Sequence, residues 1–214
     1  MSGGSHDQFM AQALELAWQQ LGRTWPNPSV GCVIVDPSGA VLAQAATGDG
    51  GRPHAEETVL SDLGPLARGA TAYVSLEPCG SRSGGGVACS QLLIAAGVAQ
   101  VVIAVRDPHP HGAGGVEALR AAGVLVIEDV LAEEAIDLNA GFFHRLKTGR
   151  PLAFIDDDPS GYDQALTLHA GEDVLAGLER LGALGLTRVF ARPGTLEADA
   201  LINARLVPGS APDE

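Results

Sequence analysis

His54-Ala55-Glu56, Pro78-Cys79 and Cys89 are the residues around which we expect the chain to fold. One imidazole nitrogen and two thiolates suit zinc, and three protein ligands leave the fourth tetrahedral position open for water, as in catalytic zinc sites. Glu56 follows the predicted histidine ligand by two residues, so its carboxylate is placed to take a proton from this water and to deliver it elsewhere. The sequence therefore predicts one Zn²⁺ per chain, with these ligands: His54, Cys79 and Cys89.

The setting of these residues matters, because a bare His-x-Glu occurs by chance in many proteins. His54 opens an apolar helical pattern, and the predicted strand at 72–76 leads directly into Glu77-Pro78-Cys79. The cysteine spacing does not match structural zinc motifs or redox motifs. The division of roles is that of zinc deaminases, in which the glutamate of His-x-Glu is not a ligand and the cysteines follow a proline. A zinc site is therefore favoured over the alternative, two unrelated buried cysteines.

Composition and charge exclude several classes of protein. Of the 214 residues, 46% are hydrophobic and only 4% aromatic, so the core must consist mainly of Ala, Val, Leu and Ile. A net charge of -13 and a pI near 4.7 disfavour a nucleic-acid partner, which needs clustered Lys and Arg. The sequence shows no signal peptide and no apolar run of the roughly 18 residues that cross a membrane. Three cysteines, two of them predicted ligands, argue against disulfides, and we predict a cytoplasmic protein.

The order of apolar runs predicts a mixed sheet. Residues 31–35 and 40–43 flank the turn Asp36-Pro37-Ser38-Gly39 and should form an antiparallel hairpin. Strands at 72–76, 98–105 and 124–127 then alternate with helices at 54–63, 89–96 and 116–122, and a long helix follows at 131–147. This alternation predicts parallel pairing in the later part of the sheet, with helices on both faces.

Two loops between these elements carry polar residues. Trp25-Pro26-Asn27-Pro28 cannot be helical, because each proline pushes the preceding residue into an extended conformation. The loop is either a rigid connector or a support that holds Asn27, which both donates and accepts hydrogen bonds, near the metal. His109 and His111 follow a strand at the edge where α/β sheets bind ligands, but a solvated loop is the simpler interpretation for them.

Several longer motifs resemble one enzyme family, the bacterial riboflavin-pathway diaminohydroxyphosphoribosylaminopyrimidine deaminases. The resemblance covers about residues 8 to 150 and is far more specific than the zinc motif alone. It is carried by Pro26-Asn27-Pro28, Val30-Gly31-Cys32-Val33, Pro53-His54-Ala55-Glu56, Gly69-Ala70-Thr71-Ala72-Tyr73-Val74, Leu76-Glu77-Pro78-Cys79, Leu93-Ile94-Ala95-Ala96-Gly97-Val98, Asp107-Pro108 and Leu138-Asn139-Ala140-Gly141-Phe142.

The resemblance implies the cytidine deaminase-like fold, a three-layer α/β/α sandwich, and hydrolytic loss of ammonia from an aminopyrimidine ring. By motif position it assigns zinc to His54, Cys79 and Cys89, proton transfer to Glu56, and a hydrogen bond to the pyrimidine to Asn27. The family forms oligomers, so a homodimer is expected.

The loop between the two cysteines departs from the family pattern. The family usually has Ser-His-His-Gly-x-Thr-Pro-Pro there, near the phosphoribosyl part of the substrate. This chain has nine residues, 80–88, without histidine or proline. Arg82 is the only charged residue left in the loop, and a guanidinium can hold a phosphate through two parallel hydrogen bonds. We therefore predict that Arg82 binds the substrate and that Ser81 and Ser83 assist. The affinity of the protein for the phosphoribosyl group should be weaker than the family pattern would give.

The C-terminal part is predicted to be a separate unit, with a deaminase domain at 1–150 and a truncated reductase-like segment at 151–214. Residues 151–155 and 172–207 resemble the first strand and the last helix-strand-helix of the family's reductase domain. However, Asp156-Asp157-Asp158 and Ala191-Arg192-Pro193 stand where that domain has its lysine motif and its Glu-Gly-Gly loop. With 11 acids against 4 bases, this segment is predicted to lack a cofactor site and reductase activity, so any reductase would be a separate chain.

Three functions remain open at this point. The first is a riboflavin-pathway deaminase acting on 2,5-diamino-6-(5-phosphoribosylamino)pyrimidin-4-one. The second is a paralogue that deaminates a different small aminated heterocycle. The third is a non-catalytic scaffold of the same fold, which the presence of Glu56 disfavours because a purely structural zinc does not need it.

Overall fold

The chain folds into two units, here described from a computed structural model that covers residues 3–82 and 85–208, with side chains from His6 onward. The first unit contains the residues up to Gln20, Ser29–Gly48 and Arg52–Leu138. The second contains Leu21–Pro28, Asp49–Gly51 and the residues from Asn139 onward. Among the described residues, no helix is both long and apolar enough to cross a lipid bilayer.

A five-stranded mixed sheet forms the middle of the first unit, in the order β2-β1-β3-β4-β5. Its strands are β1 (Gly31–Val35), β2 (Val41–Ala46), β3 (Thr71–Val74), β4 (Gln100–Ile103) and β5 (Leu125–Ile127). β1 pairs antiparallel with β2 and β3, whereas β3, β4 and β5 run parallel. Both predictions for this sheet, the hairpin and the parallel later half, are confirmed.

One face of the sheet is covered by α1 (Gly3–Gln20), which also packs beside α5 (Ala132–Leu138). α1 comes so close to β1 that a Cβ atom at Gly31 would lie 1.8 Å from the backbone oxygen of Ala13, so only glycine fits there. On the same face, the Tyr73 ring lies 5.1 Å from that of Phe9, and its hydroxyl lies 2.9 Å from Nδ1 of His6.

The opposite face carries α2 (Ala55–Leu63), α3 (Cys89–Ala96) and α4 (Gly115–Ala121). Alternate residues of the strands point into this layer, as the period of two along a strand requires. They form one buried cluster with helix residues, including Cys32, Ile34, Ala72, Val74, Val101 and Ile103 from the strands and Val59, Leu63, Leu93, Val116 and Leu119 from the helices. The predicted three-layer α/β/α sandwich is confirmed, and Cys32 is a core residue as expected.

The long helix predicted at 131–147 is wrong as a single element. The chain forms two helices, α5 and α6 (Ala140–Thr148), separated by Asn139 with φ −97° and ψ 14°. The apolar period continues through the break, which is why the sequence pattern did not reveal it. The break also marks the change from the first unit to the second.

A three-stranded parallel sheet forms the second unit, in the order β6-β8-β7. Its strands are β6 (Leu152–Ile155), β7 (Gln164–Ala165) and β8 (Arg188–Ala191), and its other helices are α7 (Val174–Ala183) and α8 (Leu196–Asn203). α7 and α8 each begin with a side-chain cap. The side chain of Asp173 accepts a hydrogen bond from the backbone N–H of Ala176, and that of Thr195 accepts one from the backbone N–H of Ala198. The predicted strand near 151–155 and the helix-strand-helix within 172–207 are confirmed.

The apolar stripe of α7 is divided between a core and the surface. Val174, Leu178 and Leu181 lie in a buried cluster with β6, β8 and α8, whereas Leu175 and Leu184 are exposed. Trp25 packs against this cluster from the loop Leu21–Pro28. Most of this stripe is therefore buried within the second unit itself. The predicted functional division at residue 150 stays a prediction.

Candidate metal centre

The N-terminus of α2 positions the first predicted ligand. His54 is the N-cap residue, in an extended conformation with φ −68° and ψ 154°, so its side chain lies at the start of the helix. Its backbone N–H donates to Oε2 of Glu57 at 2.8 Å, as in a capping box. The helix start thereby fixes the backbone of the predicted ligand.

The sulfur atoms of both cysteines lie near the start of α3. Cys89 is the first residue of that helix and is fully buried, while Cys79 lies in the loop that follows β3. The backbone N–H of Cys89 donates to Sγ of Cys79 at 3.2 Å, and Ser90 donates from its N–H and its hydroxyl to the carbonyl oxygen of Cys79. A helix N-terminus stabilises negative charge, so this position favours thiolates.

The three side chains converge on one point. Nδ1 of His54 lies 3.3 Å from Sγ of Cys89 and 3.9 Å from Sγ of Cys79, and the three ligand atoms all lie within 4.8 Å of one another. Zinc bonds of about 2.0 Å to nitrogen and 2.3 Å to sulfur, at tetrahedral angles, would separate nitrogen from sulfur by about 3.5 Å. The donor set and its spacing therefore fit zinc.

The electrostatics of the two thiols agree with a metal-binding pair. The pKa of Cys79 is lowered to about 4, chiefly because its sulfur accepts a hydrogen bond from Cys89. The pKa of Cys89 is raised, chiefly by that same hydrogen bond and then by burial. Metal ligands of this kind must be thiolates, so a metal ion would displace the remaining thiol proton on binding.

Glu56 lies beside these ligands on the first turn of α2. Its side chain is buried, with 3% of its surface exposed. Burial raises the pKa of this carboxyl, because it disfavours the charged form. The pKa of the Cys32 thiol is raised chiefly by burial and, to a smaller extent, by the nearby Glu56 carboxylate. The structure therefore brings the predicted proton carrier next to the three predicted ligands.

Arg82 is turned toward the cysteines in this structure. One terminal nitrogen, NH1, donates to Oε1 of Glu57 at 2.7 Å, and the other, NH2, donates to Sγ of Cys89 at 3.3 Å. Only 6% of its side chain is exposed. The prediction that Arg82 binds a phosphate of the substrate stays a prediction. Ser83 and Gly84, the next residues of the same loop, lie outside the described residues.

Glu77 is a residue of this centre that the sequence argument quoted only as part of a motif. Its buried carboxylate accepts hydrogen bonds from the backbone N–H groups of Asp107 and Val116, at 3.2 Å and 3.0 Å, and lies 3.6 Å from NH1 of Arg106. The segment before Cys79 is thereby tied to the loop after β4 and to α4. The signal in the sequence was an acidic residue at the end of an apolar strand.

Asn27 belongs to the second unit, where its side-chain N–H donates to the carbonyl oxygen of Gly51 at 3.2 Å. A Cβ atom at Gly51 would lie 2.2 Å from Nδ2 of Asn27, and Gly51 has φ +83°, so glycine is required there. This hydrogen bond and this close contact connect the loop to residue 51 within the second unit. The predicted hydrogen bond from Asn27 to a pyrimidine stays a prediction.

The remaining histidines take other positions. The backbone N–H of His111 donates to Nδ1 of His109, and Nδ1 of His111 lies 3.4 Å from the hydroxyl of Ser81. In the part of the chain that the structure describes, the group His54, Cys79 and Cys89 is the one set of three such ligands close enough for a metal.

A three-layer sandwich with a mixed sheet and a His-Cys-Cys centre at two helix N-termini is typical of zinc-dependent deaminases. The family comparison agrees with this class. Residues 4–105 match the model of the cytidine and deoxycytidylate deaminase zinc-binding region. The resemblance to riboflavin-pathway deaminases is confirmed by the curated relatives, and the solved structures agree in fold.

Among the curated relatives, riboflavin biosynthesis protein RibD of Escherichia coli is 46% identical over 146 residues, which cover 68% of this chain and 39% of that protein. RibD of Mycobacterium tuberculosis is 35% identical over 213 residues, covering 96% of this chain and 62% of that protein. The chain thus spans less than two thirds of the length of the curated relatives that it matches.

Among solved structures, a diaminohydroxyphosphoribosylaminopyrimidine deaminase and 5-amino-6-(5-phosphoribosylamino)uracil reductase from Thermotoga maritima matches with a TM-score of 0.80. It is 23% identical, and the match covers 94% of this chain and 84% of that chain. At this identity the match shows the fold alone. It includes much of the second unit as well as the first.

Proposed function

We propose that the chain is a zinc-dependent hydrolytic deaminase of an aminopyrimidine, with 2,5-diamino-6-(5-phosphoribosylamino)pyrimidin-4-one as the substrate. The observation that carries the proposal is the convergence of His54, Cys79 and Cys89 within 4.8 Å beside the buried Glu56. The relatives named for riboflavin biosynthesis support the choice of substrate.

In this proposal His54, Cys79 and Cys89 hold one zinc ion. Zinc, when bound, supplies a Lewis acid that makes water a nucleophile near neutral pH. Glu56 would take one proton from the attacking water and give it to the ring nitrogen, while the water oxygen adds to the ring carbon and the C=N bond becomes single. Glu56 would then carry the second water proton to the amino group, so that the carbon–nitrogen bond breaks, a carbonyl forms at the same carbon, and ammonia leaves. Burial suits Glu56 to both steps, because it brings the acid and base forms of the carboxyl closer in energy.

A second candidate is a deaminase of a different small aminated ring. One observation favours it: the single charged side chain of the loop between the cysteines, Arg82, is 6% exposed and contacts Glu57 and Cys89. A guanidinium held in this way would have to leave both partners to bind a substrate phosphate.

Ammonia release from a panel of compounds tests both candidates. Purified protein with measured zinc content should deaminate the phosphoribosylaminopyrimidine with a higher kcat/KM than its dephosphorylated analogue, cytidine or a pterin. A higher kcat/KM for one of the unphosphorylated rings would favour the second candidate. Zinc-loaded protein that releases no ammonia from any compound would contradict both, and would favour a scaffold.

For residues 151–214 we propose a reductase-like fold without a working cofactor site. Asp156, at the end of β6, accepts hydrogen bonds from the hydroxyl of Tyr162 at 2.8 Å and from the N–H of Asp158 at 3.0 Å, so the acidic turn is internally bonded. Calorimetric titration with NADPH should give no heat of binding.

We also propose that the protein forms a homodimer in the cytoplasm. Large apolar side chains of α7 and α8 are exposed, which supports an interface between copies: Leu184 at 63%, Leu196 at 82% and Ile202 at 57%. Light scattering should give twice the chain mass of 21.9 kDa. A monomer at micromolar concentration would contradict this proposal.

A further inference from the structure

Arg82 and Glu57 link the two helix starts that carry the predicted ligands. Oε2 of Glu57 accepts the backbone N–H of His54 at 2.8 Å, while its Oε1 accepts NH1 of Arg82 at 2.7 Å. NH2 of Arg82 then donates to Sγ of Cys89 at 3.3 Å. A single chain of hydrogen bonds therefore runs from the α2 N-terminus to a ligand sulfur on α3.

The charges of the centre explain why a cation belongs there. The two thiolates and the carboxylate of Glu56 would place three negative charges in a mostly buried volume. A guanidinium stays protonated in proteins, and its two terminal nitrogens point in fixed directions, so it can bond a carboxylate and a sulfur at the same time. Glu57 keeps Arg82 in this orientation. The Glu57 side chain is 29% exposed, so its carboxylate stays partly hydrated.

We propose that Arg82 is a positioning residue of the zinc centre, which holds the Cys89 thiolate in place and partly balances its charge, and that Glu57 orients Arg82. This inference rests on the proposed zinc site. Partners that bond to metal ligands fix the orientation of the ligands and adjust their donor strength, and their loss typically weakens metal affinity about 10- to 100-fold. Neither residue would touch the substrate in this role.

The test measures zinc affinity directly by competition with a chromophoric chelator at pH 7. Arg82→Met removes the charge and both hydrogen bonds while keeping an unbranched side chain, and should weaken zinc binding by about 10- to 100-fold. Arg82→Lys keeps the charge but cannot bond both partners, so its loss should be smaller. Glu57→Gln keeps an acceptor for His54 but holds Arg82 less firmly, and should fall between wild type and Arg82→Met.

Arg180→Met is the matched control, because Arg180 also pairs with a glutamate, Glu172, at 2.9 Å, but in the second unit. The zinc affinity of the Arg180→Met variant should equal that of the wild-type protein. Cobalt substitution adds a readout that a general loss of stability would not produce. The thiolate-to-cobalt charge-transfer band should shift in Arg82→Met and in Arg82→Lys, and should be unchanged in Arg180→Met.

Wild-type zinc affinity and an unchanged cobalt spectrum in Arg82→Met, or in Arg82→Lys if the methionine variant does not fold, would overturn the inference. Wild-type protein that binds no zinc would instead overturn the proposed function. The ratio of kcat/KM for phosphorylated and unphosphorylated substrates separates this role from substrate binding, because partial zinc loading lowers both values equally. The ratio should be the same in Arg82→Lys as in wild type; a collapse would show that Arg82 binds the phosphate instead.

Discussion

Replacing Glu56 by glutamine should abolish proton transfer while leaving zinc bound. The side chain is 3% exposed, and glutamine has almost the same shape, so the packing of α2 should persist. Glu56 is not among the three convergent ligand atoms, so the variant should bind one zinc per chain. The loss of general acid–base catalysis should lower kcat/KM by about 10²- to 10⁴-fold, which corresponds to about 2.7–5.5 kcal/mol of activation free energy.

The assay is steady-state ammonia release, with the zinc content of each preparation measured by plasma mass spectrometry. Leaving the new amide without a partner would cost at most about 3 kcal/mol of folding stability, so a thermal melt must accompany the kinetics. Asp62→Asn is the control, because Asp62 is an exposed acid on the same helix and its loss should change neither zinc content nor rate. Glu56→Gln protein that holds full zinc and keeps more than a tenth of the wild-type kcat/KM would refute the role assigned to this residue.

Four other substitutions, one of them a control, test the centre and the second unit. Cys79→Ser should reduce bound zinc well below one per chain by mass spectrometry, and retention of full zinc would contradict its role as a ligand. Gly51→Ala costs about 1–2 kcal/mol in a left-handed conformation and displaces the Asn27 side chain, so KM should rise while zinc content stays constant; an unchanged KM would argue against Asn27 as a substrate contact. Leu181→Ala, at a position 1% exposed, should lower the free energy of unfolding in urea by about 2–5 kcal/mol, whereas Leu184→Ala, 63% exposed, should change it little.

The sequence alone predicted those features of the fold and of the centre that depend on local pattern. His54 and Cys89 could be placed at helix starts because each precedes or opens an apolar helical run, and the positions found are the N-cap of α2 and the first residue of α3. The parallel pairing of the later strands followed from the alternation of strands and helices, since parallel strands need a crossover connection. These predictions used only neighbours along the chain or rules of topology.

Contacts between distant segments were beyond this kind of reasoning. Arg82 and Glu57 are 25 residues apart, and neither residue type nor spacing indicates that they meet. The strand β7 has two exposed residues, Gln164 and Ala165, and therefore lacks the apolar run by which a strand is recognised. The break at Asn139 interrupts no apolar period. Each of these features depends on packing, which the sequence specifies only through the complete fold.

The division of the second unit among three stretches of chain has a consequence for biosynthesis. Trp25 packs on a cluster whose other members begin at Ala153, and a Cβ atom at Gly185 would lie 2.6 Å from Cβ of Pro26. A ribosome adding about 5–20 residues per second needs about 6 to 25 s to travel from Trp25 to Ala153. For that time the Trp25 side chain has been made but its packing partners have not. A nascent chain arrested near residue 138 should therefore offer this indole to chaperones, and release it only as α7 and β8 emerge.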